Sequence, residues 1–303
     1  MVLSGLVADA IVYGALTALM SVGLTLTFLT TRVPNFAQGD FITIGVYTSF
    51  ILYSFYKLSP YEASLIGFLL GGMSGVAIYI LALRPLVRAG SSFLYQAVAT
   101  FAVGVVFMGI FGIMTDYLIL HGHQTAAFFV LTYVDFSYLG NQGIVYVSPV
   151  LLAVTAFVLY AFLTRTKLGI GLRASVENPF LSETIGINVQ RLQILSWFVS
   201  GGLSAVAGSL FILWAPGSVN LGPGFLLTIF AGSVLGGLTS IFGSLLGGLL
   251  VGALPVIVTT YLSGVVGTWI LEYQVGIPLL IMSIALLVAP EGLPALRERL
   301  RTR

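Results

Sequence analysis

Few residues in this sequence have the types and spacing that chemistry needs. His121 and His123 stand two apart, as two ligands of one metal ion could. A zinc site takes three or four ligands, and no further donors cluster near them, so they read as solvated loop histidines. Serine is abundant, yet nothing fixes a Ser-His-Asp triad. The absence of Cys excludes disulfides, thiolate metal sites and a Cys nucleophile. No Gly-x-x-x-x-Gly-Lys-Ser/Thr loop occurs, so the chain has no route to ATP hydrolysis through such a phosphate cradle.

Two polar groups remain. In 35-NFAQGD-40, Asn35, Gln38 and Asp40 could line a pathway or brace a hinge, with Gly39 and the preceding Pro34 breaking helix. Non-helical backbone at membrane depth is tolerated where it lines a cavity. The plainer reading is a cytoplasmic turn in which the Asp40 charge favours a helix N-terminus. The second group, 171-GLRASVENPFLSETIGINVQ-190, holds two Glu, one Arg, two Asn and two Ser.

Both groups sit in a chain that only a bilayer can solvate. It has 303 residues, 58% hydrophobic and 7% charged, with a mean hydropathy of +1.08. A soluble domain is about a quarter charged. The 36 Gly suit close helix packing and broken helices. The start MVLSGLVADA has no basic stretch before its apolar run, so no cleavable signal peptide is evident. Spanning takes about 20 apolar residues, and the candidate spans are 6–31, 38–57, 61–83, 92–118, 144–163, 192–215, 225–238, 241–262 and 273–290. The break at 236-GGLTS-240 could also belong to a re-entrant half-helix. The expected fold is an all-α polytopic membrane protein of about eight to ten transmembrane helices, one permease domain over 1–303.

Cytoplasmic loops collect Lys and Arg. Placing 84–91, 164–191 and 291–303 inside, with the loop near Arg32 falling on the same side, puts eleven of the twelve basic residues there, with only Lys57 outside. The N-terminus and the large loop 119–143 then lie outside. No charged residue falls mid-span in this assignment, and Asp116 reads as an outer-edge residue. Intramembrane charges mark ion and proton relays. Their absence argues against an ion-coupled transporter, for one driven from outside the membrane, and for an apolar or net-neutral substrate. Trp197, Trp214, Trp269 and Tyr273 fall near span ends, where an interfacial belt is expected.

The insert 164–191 has helix signals of its own. Asn178 suits an N-cap, Pro179 the first helical position, and Gly186 a left-handed C-cap, giving a helix over 179–185. Asn188 can cap a second helix from Val189 onward. Phe180, Leu181, Thr184 and Ile185 give the short helix one apolar side. Such a helix can dock in a groove of a soluble partner, or lie on its own protein or on lipid headgroups.

Here the residues resemble a family. The run RASVENPFLSETIGINVQRL is similar to the cytoplasmic coupling segment of ABC-importer permeases for branched-chain amino acids, the hydrophobic amino acid uptake group. Three further stretches resemble the family in order: 22-VGLTLTFLTTRVPNFAQGDFITIGVY-47, the Gly-rich 231-AGSVLGGLTSIFGSLLGGLLVG-252, and 289-APEGL-293. Two departures are visible. The family usually has His and Glu where this chain has Gln38 and Asp40, and Ala-rich sequence where it has Phe180, Leu181 and Ser182.

The resemblance implies a non-catalytic permease subunit in the cell membrane. It would pair with a second permease chain, identical or paralogous, and with two cytoplasmic ABC ATPases that bind the ATP. An extracytoplasmic binding protein would deliver branched-chain or other hydrophobic amino acids; no cofactor and no nucleic acid is expected. Glu177, Asn178, Pro179, Phe180, Leu181, Glu183, Thr184, Gly186 and Ile187 would form the coupling helix. The alternatives are a related permease for urea, amides, simple sugars or nucleosides, and a stand-alone channel or facilitator without ATPase.

A fainter echo links 35-NFAQGDFITI-44 to 220-NLGPGFLLTI-229, pairing Asn35 with Asn220 and Gly39 with Gly224. The topology puts one inside and one outside, as inverted repeats require. That relation expects Asn35 and Asn220 to label from opposite sides in a cysteine-accessibility scan.

Overall fold

Backbone N–H and C=O groups in hydrocarbon must be paired within the segment, so apolar runs of this length fold as helices. The computed structural model describes residues 5–122 and 124–288. The helices are α1 (Gly5–Thr31), α2 (Gln38–Tyr56), α3 (Pro60–Ile78), α4 (Arg84–Arg88), α5 (Phe93–Leu120), α6 (Ile144–Arg165), α7 (Lys167–Glu177), α8 (Pro179–Thr184), α9 (Val189–Phe211), α10 (Leu221–Gly236), α11 (Ile241–Val266) and α12 (Gly276–Val288). A hairpin of β1 (Ser137–Tyr138) and β2 (Asn141–Gln142) lies in the 119–143 loop. Among the described residues, six helices are long and apolar enough to cross a membrane, α3 running on to Arg88 through a π-helical turn. The shorter α2, α10 and α12 fall on the remaining three expected spans. The 289-APEGL-293 ending and the basic tail 291–303 lie outside the described residues, as does His123.

Contacts sort the helix ends into two faces. On one, Arg32 Nη2 donates to the Val176 carbonyl (3.2 Å) and Gln193 Nε2 to the Thr30 carbonyl (3.0 Å), which brings the ends of α1 and α7 to the start of α9. On the other, Trp214 Nε1 donates to Asp9 Oδ1 (2.9 Å), and the Tyr61 hydroxyl donates to Asp135 Oδ1 (2.7 Å). Asp135 Oδ2 accepts from the Ile144 amide (2.9 Å), so one carboxylate ties the 119–143 loop to the starts of α3 and α6.

The halves repeat each other with reversed direction. α3 packs on α9 as α11 packs on α1. Gly71 abuts Gly201 and Ala205, while Gly252 abuts Tyr13, Gly14 and Thr17. Gly67 faces the Ser209 hydroxyl, and Gly248 faces the Ser21 hydroxyl. The same two serines each make a reciprocal pair of bonds. Ser21 Oγ donates to the Ile229 carbonyl (3.3 Å), and Ser233 Oγ donates to the Ser21 carbonyl (2.8 Å). Ser209 Oγ donates to the Gly45 carbonyl (3.0 Å), and Ser49 Oγ donates to the Ser209 carbonyl (3.3 Å). Gly45 thus answers to Ile229 and Ser49 to Ser233, one residue away from the register of the Asn35–Asn220 echo. Asn35 itself is fully buried, whereas Asn220 is exposed. The relation therefore rests on helix direction and on the serine pairs rather than on the two asparagines.

Trp197 corrects the belt reading. It is fully buried, its ring 6.1 Å from that of Tyr79, with its backbone against Gly75. The glycine row Gly67, Gly71 and Gly75 draws α9 so close to α3 that the indole is enclosed, and its Nε1 has no partner. Trp214 is half-buried and bonded to Asp9, while Trp269 and Tyr273 are exposed as a belt requires.

This packing predicts a sharp contrast between two glycines. A Cβ at Gly71 would strike the Gly201 carbonyl, whereas one at Gly109 on α5 meets nothing within 4 Å. Overpacking costs about 1–3 kcal/mol, occasionally more. Gly71→Leu should therefore lower the melting temperature of the detergent-solubilised protein by several degrees or prevent its recovery, while Gly109→Leu melts with the unaltered chain.

Candidate functional site

The turn 32–37 runs back into the bundle before α2 begins. Arg32 takes a left-handed backbone conformation (φ 57°) and ends α1. The Gln38 side chain then lies against Gly23, about two turns before the end of α1. Asn35 Oδ1 accepts from the Ala37 amide (3.1 Å), and Asn35 Nδ2 donates to Gln38 Oε1 (3.0 Å). Gln38 Nε2 donates to Ser204 Oγ (2.7 Å), and Ser200 Oγ donates to Gln38 Oε1 (3.2 Å). Thr100 Oγ1 of α5 accepts from the Phe36 amide (3.1 Å). Asn35, Gln38, Ser200 and Ser204 are all completely buried. They brace the turn against α9.

Asp40 stands in the first turn of α2, where its charge suits the helix N-terminus. It is only 4% exposed, so it lies in the protein interior and not in a solvated turn. Its carboxylate faces Gly104 of α5, where a Cβ would stand 2.9 Å from Oδ2. Gly39 crosses Gly222 of α10 backbone to backbone, and neither position has room for a Cβ. The two segments of the echo therefore meet. Gly224 departs from its partner: nothing lies within 4 Å of where its Cβ would be, and it borders a cavity of about 310 Å³. Tyr13 and Thr17 of α1, Thr228 of α10 and Gln274 share the wall. The sequence reading singled out none of these four. Their visible signal was a hydroxyl, or for Gln274 an amide, within an apolar span.

The insert is a chain of local caps. Thr166 Oγ1 accepts from the Gly169 amide (3.0 Å) and starts α7, a helix absent from the sequence reading. Asn178 ends α7, and its Oδ1 accepts from the Leu181 amide (3.0 Å) to start α8 at Pro179. The amides of Gly186 and Ile187 donate to the carbonyls of Glu183 and Ser182, both at 3.0 Å, with Gly186 left-handed at φ 87°. Asn188 Oδ1 then accepts from the Arg191 amide (3.0 Å) to open α9. The expected 179–185 helix forms over Pro179–Thr184.

Ser182 is the buried side of α8, whereas Phe180, Leu181 and Ile185 are 78%, 59% and 68% exposed. Glu177, Glu183 and Thr184 are exposed beside them. The apolar side faces away from the rest of the chain, and the opposite side packs on it through Ser182. His121 Nδ1 lies 2.8 Å from the Tyr117 carbonyl, and no group of three metal-ligating side chains occurs among the described residues.

The family model described as "Branched-chain amino acid transport system / permease component" matches residues 6–286. The "Probable branched-chain amino acid transport permease protein LivH" of Methanocaldococcus jannaschii is 39% identical over 284 residues, covering 94% of this chain and 90% of that protein. The "High-affinity branched-chain amino acid transport system permease protein BraD" of Pseudomonas aeruginosa is 28% identical over 264 residues, 80% of this chain and 82% of that one. The "Tyrosine transport system permease protein" of Clostridioides difficile is 26% identical over 226 residues, 72% and 68% of the two chains.

The buried amide makes a test of the turn. Gln38→Leu leaves Asn35, Ser200 and Ser204 without that partner, and an unsatisfied buried group costs about 1–3 kcal/mol. Thermal unfolding in detergent should fall by several degrees for Gln38→Leu. Ser204→Ala, which removes one bond and leaves the amide its other two partners, should fall by less.

Proposed function

The chain belongs to the family of permease components of branched-chain amino acid transport systems, and we propose that it is the membrane subunit of an ATP-driven importer for hydrophobic amino acids. It is an integral membrane protein. In this reading two cytoplasmic ABC ATPases hold and hydrolyse the ATP. A second permease chain completes the pathway, and an extracytoplasmic binding protein supplies the substrate. The relatives are named for branched-chain amino acids and tyrosine, which supports a hydrophobic side chain as the shared feature.

The observation that carries the reading is α8. A six-residue helix with Phe180, Leu181 and Ile185 turned outward has too little of its own length to be stable alone. Its caps hold it in place, and its uncovered apolar side suits a groove in a soluble partner. Glu177, Asn178, Pro179, Glu183, Thr184, Gly186 and Ile187 would frame that contact. Arg32, bonded to Val176, would carry movement of the insert into the end of α1. Closure of the ATPase pair on ATP would thus shift α7 and α8 and, through them, the spans.

Two experiments bear on this. Detergent-solubilised chain should capture the candidate ATPases of the same cell, and replacing 177–187 with a Gly/Ser linker should abolish capture. Equal capture by both forms would move the docking surface elsewhere. In reconstituted complexes, Gly186→Pro cannot keep φ 87° at the α8 C-cap, and Glu183→Lys reverses an exposed charge. Both should leave the protein folded and ATP hydrolysis running while uptake falls by an order of magnitude. Unchanged uptake would count against a coupling role.

A further inference from the structure

We propose that the cavity between α1, α10 and α11, bounded by residues 271–278, is a binding site for one hydrophobic amino acid in transit. The inference rests on the importer reading above. Two observations point to it. First, Thr17 is completely buried, and its hydroxyl has no partner at all. Helical threonines usually bond to the carbonyl three or four residues back, and Thr27, Thr30 and Thr31 of the same helix do so. Thr25 of the same helix is likewise buried without a partner, but of the two only Thr17 borders the cavity.

Second, the wall matches the ligand class. The volume of about 310 Å³ is that of a small-ligand pocket. Phe225, Val251 and Pro255 offer an apolar side, while Gln274 and Thr17 offer hydrogen bonds. The described lining is uncharged, which suits a net-neutral ligand such as a zwitterionic amino acid.

The test uses the reconstituted complex with its ATPases and binding protein, and measures uptake of alanine, valine and leucine. Gly224→Leu adds side-chain bulk at the cavity, at a position where a Cβ meets nothing within 4 Å. Losing room for side-chain carbons changes discrimination by about tenfold or more. The expected result is a drop of about that size in kcat/KM for leucine, with alanine reduced less than about threefold. Thr17→Val keeps the shape and removes the hydroxyl, so KM should rise about fivefold for all three. ATP hydrolysis and monodispersity, followed in parallel, report folding. If Gly224→Leu slows all three substrates equally, or none, the site is refuted while the importer reading stands. If the unaltered complex takes up no hydrophobic amino acid, both fall.

Discussion

Backbone-to-backbone contact between helices is the constraint on which this structure depends. Lipid tails are as apolar as the helix surfaces, so burial against a neighbour brings little hydrophobic gain in a bilayer. Association comes from van der Waals packing and interhelical hydrogen bonds, and both need close approach. Gly67, Gly71 and Gly75 supply it for α3 on α9, and Gly248 and Gly252 for α11 on α1. Gly45 and Gly208 bring α2 against α9 in the same way, and Gly232 brings α10 against α1, so that Ser209 and Ser21 reach the carbonyls of α2 and α10. Glycine spacing and serine position are thus one device, used twice.

That closeness permits the irregular backbone of the centre. The turn 32–37 and the start of α10 enter the bundle before their helices begin, and each needs its polar groups satisfied there. Gln38, with Asn35, Ser200 and Ser204, serves the first. The second lies against it through Gly39 and Gly222. A site at such a crossing inherits motion from both halves, because α2 is tied to α9 and α10 to α1. The cavity beside Gly224 borders this crossing, and the cytoplasmic insert meets the same α1 at Arg32. One helix therefore touches the proposed substrate site, the central crossing and the proposed ATPase contact.

Much of this was legible in the sequence, and what was legible is local. Hydropathy and length located the six described helices that are long and apolar enough to span, because a segment that satisfies its own backbone in lipid carries that information in its own residues. Asn178, Pro179, Gly186 and Asn188 marked the ends of α8 and the start of α9, since a cap acts over three or four positions. Thr166 gave the same kind of signal for α7, and the polar composition around it obscured it.

The tertiary structure decided what depends on partners far along the chain. Gln38 differs from a solvated turn residue only through Ser200 and Ser204, more than 160 positions away by sequence number. Trp197 became core because glycines of α3 face it, although its place near a span end suited the interface equally well. The register of the inverted halves follows the serine pairs and not the asparagine echo. Which side of α8 faces outward, and the free hydroxyl of Thr17, likewise follow from packing. Composition and period determine which segments become helices; only the distances between those helices determine which of their residues meet.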